Sequence, residues 1–234
     1  MSAGNHPVIP AQAGIHPRRI ALLGAESTGK STLAWELAEH LRSQGLTALA
    51  VPEVLREWCT RTGRAPEPGE QLAIAEEQEA RVDAAARQAE VVIADTTALM
   101  VAIYAGMLFR DGALYRFAVA RQQAYDATLV TGLDLPWTPD GLQRDAASRE
   151  AVDALVRNLL QENGVPYQVV YGEGERRLHS AVQALAACGV LPQGVRAGEA
   201  TPAGGGAAWV WVCDKCSDPA CEHRLFQKLR DAQP

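Results

Sequence analysis

Gly24-Ala25-Glu26-Ser27-Thr28-Gly29-Lys30-Ser31 matches G-x-x-x-x-G-K-[ST], the phosphate-binding P-loop. The apolar run Ile20-Ala21-Leu22-Leu23 precedes it and reads as a buried strand. Leu33, Trp35, Leu37, Ala38 and Leu41 follow as the apolar face of a helix that ends before Gly45. Strand, loop and helix are the setting the motif requires, and they weigh against a chance glycine-rich turn beside an exposed lysine. Gly24 and Gly29 permit backbone conformations that turn N–H groups toward a phosphate. The helix behind them adds the positive end of its dipole to the same anion. Lys30 is expected to reach the β- and γ-phosphates of ATP and Ser31 to ligate Mg²⁺. Ala25, Glu26, Ser27, Thr28 and Thr32 are expected to complete the nucleotide contact.

The bulk composition fits that reading. With 234 residues and 47% hydrophobic content, the chain can bury one good core and carry a small appendage. A formal net charge of -6 gives no electrostatic case for nucleic acid or an anionic membrane. No apolar run has transmembrane length and no signal segment is apparent, so a soluble cytoplasmic protein is expected. Five cysteines are too few and too uneven for a disulfide framework. Cys59 and Cys188 stand alone and read as buried packing residues.

Outward from the P-loop, residues 1–17 carry Pro7, Pro10 and Pro17 without periodicity and read as a disordered tail. Leu46 to Val51 reads as a second strand running into Pro52-Glu53-Val54-Leu55-Arg56-Glu57, where a helix begins. Glu53 and Arg56, one helical turn apart, are expected to share the ligand-binding edge of a parallel sheet and to meet the substrate. The span 70–89 reads as a long helix whose charges form a solvated face. Val91 to Thr97 forms a third strand that delivers Asp95 to the sheet edge, as a Walker B acid beside Mg²⁺ would be delivered. Two helices over 98–109 and 112–125 carry Tyr104, Phe109, Tyr115, Phe117 and Tyr125 as core or cleft wall. A fourth strand, 127–131, leads into a proline-punctuated loop over 135–145 that reads as a lid. Arg144 and Arg149 bracket the next helix, Arg144 expected to stabilise the transferred phosphoryl group and Arg149 to bind nucleotide. A fifth strand, 167–171, and a helix over 175–187 close a doubly wound parallel α/β domain expected over 18–190.

The pieces Gly24–Ser31 (GAESTGKS), Pro52-Glu53-x-x-Arg56-Glu57, Asp95-Thr96-Thr97 and Pro136-Trp137-x-x-Asp140-Gly141-Leu142 occur in family order over about 20–185. Together they resemble the ribosylnicotinamide-kinase domain of NadR-type NAD-biosynthesis proteins and the wider NadR-like AAA-domain group. The resemblance implies ATP-dependent phosphorylation of the ribose hydroxyl of nicotinamide riboside, with Lys30, Glu53, Asp95 and Arg144 as the catalytic set. Gln143 stands where those kinases place an arginine directly after Gly-Leu, and Arg144 comes one position later.

Gly204-Gly205-Gly206 lies in an expected linker over 191–208. In the appendage expected over 209–234, Cys213-x₂-Cys216-x₄-Cys221-x-His223 offers three thiolates and an imidazole to a structural Zn²⁺. Two functional readings remain open on the residues. One is a small-molecule kinase acting on a nucleoside-like alcohol; the other is a P-loop ATPase or regulatory switch with a zinc-stabilised docking appendage. Oligomeric state is not legible.

Overall fold

The computed structural model describes residues 16–109, 112–136, 146–192 and 194–195. Five strands alternate with seven helices: β1 (Arg18–Leu23), α1 (Lys30–Ser43), β2 (Ala48–Val51), α2 (Val54–Thr62), α3 (Gln71–Ala86), β3 (Val91–Asp95), α4 (Ala98–Phe109), α5 (Gly112–Gln122), β4 (Ala127–Thr131), α6 (Ala146–Glu162), β5 (Gln168–Val170) and α7 (Glu175–Ala187). All strand pairs are parallel and the order across the sheet is β2-β3-β1-β4-β5. A parallel sheet covered on both faces needs strands that are apolar where they are covered, and Ile20–Leu23 of β1, Val91–Ala94 of β3 and Leu129-Val130 of β4 meet that need. Side chains alternate across them. Ile20, Leu22, Ile93 and Leu129 pack with Leu33, Leu37 and Leu41 of α1 and Ala181, Val182 and Leu185 of α7. Ala21, Leu23 and Val130 pack on the other face with α4, α5 and α6. Val92 and Ala94 meet Val82, Ala85 and Ala86 of α3.

Several boundaries differ from the sequence reading, each for a local reason. Strand β2 starts at Ala48 rather than Leu46 because the chain is still closing α1: Gly45 N–H donates to Arg42 O and Leu46 N–H to Leu41 O. Those two bonds form the Schellman pattern, and Gly45 takes the positive φ it requires, +88°. Strand β3 stops at Asp95, not Thr97, because Thr96 turns the chain at φ +66°. Helix α3 starts at Gln71, after a 3-10 turn over Pro68–Glu70, and α5 ends at Gln122 rather than 125. Cys59 is buried as expected, but Cys188 is exposed. It caps the C-terminus of α7, where the chain leaves the core side of the helix for Gly189. The expected linker starts too early: Leu191 is buried in the core beside α7 and Val195 packs against that core, while residues 196–208, Arg144 and the Cys213–His223 run lie outside the described residues. Among the described residues, no helix is long and apolar enough to cross a membrane. No cluster of three or more metal-ligating side chains occurs among them either.

Candidate active site

Parallel strands present their carboxyl ends along one edge, and the register fixes what meets there. Leu22 pairs with Asp95, and Leu23 with Val130, so the end of β1 lies between Asp95 and Thr131. The loop leaving β1 wraps into α1 through residues of positive φ: Gly24 at +137°, Ser27 at +54° and Gly29 at +75°. A side chain at Gly24 would run into the Thr131 hydroxyl, and one at Gly29 would approach Arg177 Nη1 and Leu135 Cδ1 to 3.1 Å. Gly24 is therefore fixed by space as well as by backbone conformation, and Gly29 by its backbone conformation. The Thr28 hydroxyl donates to Ala25 O at 2.7 Å and lies 2.6 Å from Thr131 Oγ1, which itself donates to Leu23 O. Ala25, Glu26 and Thr28 are buried, whereas Thr32 is exposed.

Lys30 is 5% exposed, and its ammonium donates to Ala25 O at 2.6 Å. Burial pushes the Lys30 pKa below the usual lysine range, while the Glu53 and Asp95 carboxylates pull it back up. Asp95 is buried, and its Oδ1 has no hydrogen-bond partner among the described residues. The Thr96 backbone behind it is strained: a β-branched residue at φ +66° is an outlier that surrounding bonds must hold. Those bonds are Thr96 N–H to Leu22 O, Thr97 Oγ1 to Gln122 Oε1 and Gln122 Nε2 to Thr128 Oγ1.

Glu53, at the end of the β2 connection, pairs with Arg56 at 2.9 Å, and Arg56 Nη1 donates to Ser31 Oγ at 2.9 Å. The Glu53 carboxylate does not cap α2. That role falls to Gln78 of α3, whose Oε1 accepts from Val54 N–H at 2.9 Å and whose Nε2 reaches Pro52 O. With the helix start held from behind, Glu53 keeps its acid for the cleft. Ser31, Glu53, Arg56 and Asp95 line a single cleft of about 470 Å³, joined by Trp35, Glu57, Thr60 and Arg61.

Sequence reasoning missed three residues that hold this edge together. Gln78 and Glu79 were read into a solvated face, but both are almost fully buried. Glu79 accepts from Ala98 N–H at the start of α4, from Arg121 and from Tyr125 OH. Arg177 of α7 is 3% exposed and donates to Thr28 O in the P-loop, to Gly172 O after β5 and to Asp134 Oδ1 after β4. No local pattern signals any of them, because each acts on a distant element. Arg149 sits near the start of α6 and donates to Leu135 O at 2.8 Å, while its Nε and Nη2 have no hydrogen-bond partner among the described residues. Burial lowers its pKa from the ordinary arginine value, opposed by Asp134.

A phosphate-binding loop at the end of the central strand, with an acid ending the neighbouring strand, defines a P-loop NTPase. The AAA domain family model matches residues 19–177, and the chain belongs to that family. A NadR structure in complex with NR is similar, with a TM-score of 0.60 and 22% identity over 76% of this chain and 53% of that one. NadR in complex with NAD and AMP-PNP gives 0.59 and 20%, over 76% and 51%. This chain thus spans about half the length of the NadR chains it matches. Deoxyadenosine kinase from M. mycoides gives 0.52 and 15% identity, over 72% of this chain and 99% of that one. At these identities the likeness is one of fold. No curated protein matches the chain.

Proposed function

We propose that the chain is an ATP-dependent kinase that phosphorylates a hydroxyl of a nucleoside-like small molecule. The observation that carries this is Glu53, a carboxylate held in the same cleft as Ser31 and Asp95 and not used to cap its own helix. A kinase needs such an acid beside the acceptor hydroxyl. Glu53 takes the hydroxyl proton as the acceptor oxygen bonds to the γ-phosphorus. The bond to the β,γ-bridging oxygen breaks, leaving the phosphate ester, ADP and a proton on Glu53. Lys30 and the P-loop N–H groups hold the phosphates. Asp95, with its unpartnered Oδ1, and the Ser31 hydroxyl suit Mg²⁺, a hard cation that takes oxygen ligands. Bound there, Mg²⁺ would neutralise charge on the transferred phosphoryl group. Arg149, and Arg144 by its place in the sequence, supply further positive charge for the nucleotide.

The family resemblance makes nicotinamide riboside the first acceptor to test. ATP consumption should depend on acceptor. Glu53→Gln should depress transfer by about 10²-fold or more while sparing ATP binding, and Lys30→Ala should abolish turnover. Hydrolysis that ignores both the acceptor and Glu53→Gln would favour the ATPase reading. The spacing of Cys213, Cys216, Cys221 and His223 supports a separate proposal, a structural Zn²⁺ in the C-terminal segment.

A further inference from the structure

The cleft that holds Glu53 also carries charge that phosphoryl transfer does not use. Its acids are accounted for. Glu53 pairs with Arg56 at 2.9 Å. Glu57 is drawn away to Arg81 of α3 at 2.6 Å. Asp95 is the acid that would hold Mg²⁺ in the reading above. One cation remains: Arg61, in the last turn of α2, lines the cleft and makes no ion pair among the described residues. Glu53, Arg56, Glu57, Thr60 and Arg61 recur at helical spacing, so this face of α2 is polar from end to end. On the facing helix, Trp35 lies one turn beyond Ser31 and is 53% exposed, an aromatic surface that the core does not use. From Glu53 to Arg61 the helix rises roughly 12 Å, and the long arginine stem can reach back over part of that. The cleft therefore offers an acid for a hydroxyl, an aromatic surface for a flat ring and a guanidinium with no ion pair among the described residues.

We propose that the acceptor is a nucleoside-like alcohol bearing an anionic group: its hydroxyl meets Glu53, its ring lies against Trp35, and a carboxylate or phosphate remote from that hydroxyl pairs with Arg61. A guanidinium binds either anion through two parallel N–H bonds, which a neutral amide cannot match. The inference rests on the kinase reading for the chemistry but narrows what is phosphorylated.

Matched pairs of acceptors test it on the full chain with Mg-ATP. Nicotinate riboside and nicotinamide riboside differ only in carboxylate against amide, and adenosine 3′-monophosphate and adenosine test the phosphate source. The carboxylate- or phosphate-bearing member of at least one pair should be favoured about tenfold or more in kcat/KM, the range of a charge-assisted hydrogen bond. Which pair shows it identifies the anion. Arg61→Gln should collapse that preference toward unity through KM, Arg61→Lys should restore part of it, and Trp35→Ala should weaken both members of a pair. Titration calorimetry with AMP-PNP and Mg²⁺ present reads binding without turnover. Anion-selective binding lost in Arg61→Gln, with no transfer to any acceptor, supports this cleft assignment and overturns the kinase reading. Transfer without preference for the anion, or a preference untouched by Arg61→Gln, overturns the assignment and leaves the kinase standing. Binding of none of the four compounds overturns it as well.

Discussion

Arg177→Met removes a side chain that ties the P-loop to the loops after β4 and β5, while keeping most of the buried stem. The guanidinium gives up donations to Thr28 O, Gly172 O at 2.7 Å and Asp134 Oδ1 at 2.7 Å. Hydrogen bonds to charged groups contribute about 1.5–3 kcal/mol each, and breaking a buried ion pair costs about 3–5 kcal/mol because its partner is stranded. Here Arg177 is 4% exposed but Asp134 is 21% exposed and still accepts Gly172 N–H at 2.6 Å, so water and the backbone recover part of the loss. Burial also lowers the Arg177 pKa, an unfavourable contribution that its removal relieves. The expected net destabilisation is about 3 kcal/mol. With an m-value of about 2 kcal/mol/M, the urea midpoint should fall by roughly 1.5 M. Asp134→Asn should cost less, and the double variant should show coupling of about 1 kcal/mol or more. Nucleotide affinity should fall too, since the Thr28 peptide loses its anchor. A midpoint shift below about 0.5 M with additive single variants would refute the reasoning.

Burial, with the Glu79 carboxylate beside it, holds the Tyr125 phenol well above the ordinary tyrosine range. The folded state therefore keeps a proton the unfolded chain releases, so this stabilisation is complete below pH 10 and is lost as pH rises above it. Tyr125→Phe should cost about 1 kcal/mol at neutral pH and flatten the alkaline decline, read from urea midpoints between about pH 8 and 11; an equally steep decline would count against this pairing. Protein purified reduced and without chelator should carry about one zinc per chain, lost in Cys216→Ser, by the four-ligand requirement; elemental analysis finding no metal removes the site.

The fold was legible because buried parallel strands write themselves as short apolar runs. Ile20–Leu23 and Val91–Ala94 need no partner to be recognised. The P-loop was legible because phosphate constrains residue type at fixed spacing. Glu53 and Arg56 could be placed on one edge from helical spacing alone, and the structure pairs them. Arg177 could not be read this way. Its neighbours Glu175, Arg176 and His179 give α7 an ordinary polar surface, and only the packing of α7 beside α1 points that guanidinium at Thr28. Gln78 and Glu79 failed for the converse reason: a run of Ala, Glu, Gln and Arg has the composition of a solvated helix, and burial is conferred by α2 and α4 arriving from elsewhere. Cys188 was assigned by residue type, but its place at a helix end governs its exposure.

The hydroxyl contact between Thr28 and Thr131 joins residues 103 apart, and the Arg177 bond to Thr28 joins residues 149 apart. The phosphate loop is thus made well before the residues that finish it. Until β4 has emerged and docked, no threonine hydroxyl meets Thr28; until α7 follows, no guanidinium holds the Thr28 carbonyl. Closing such long loops is slow relative to forming the α1 helix beside them. A nascent or prematurely terminated chain would display the whole P-loop sequence without the scaffold that shapes it. Nucleotide can then act only late, as a ligand that stabilises the nearly complete domain and favours its final closure.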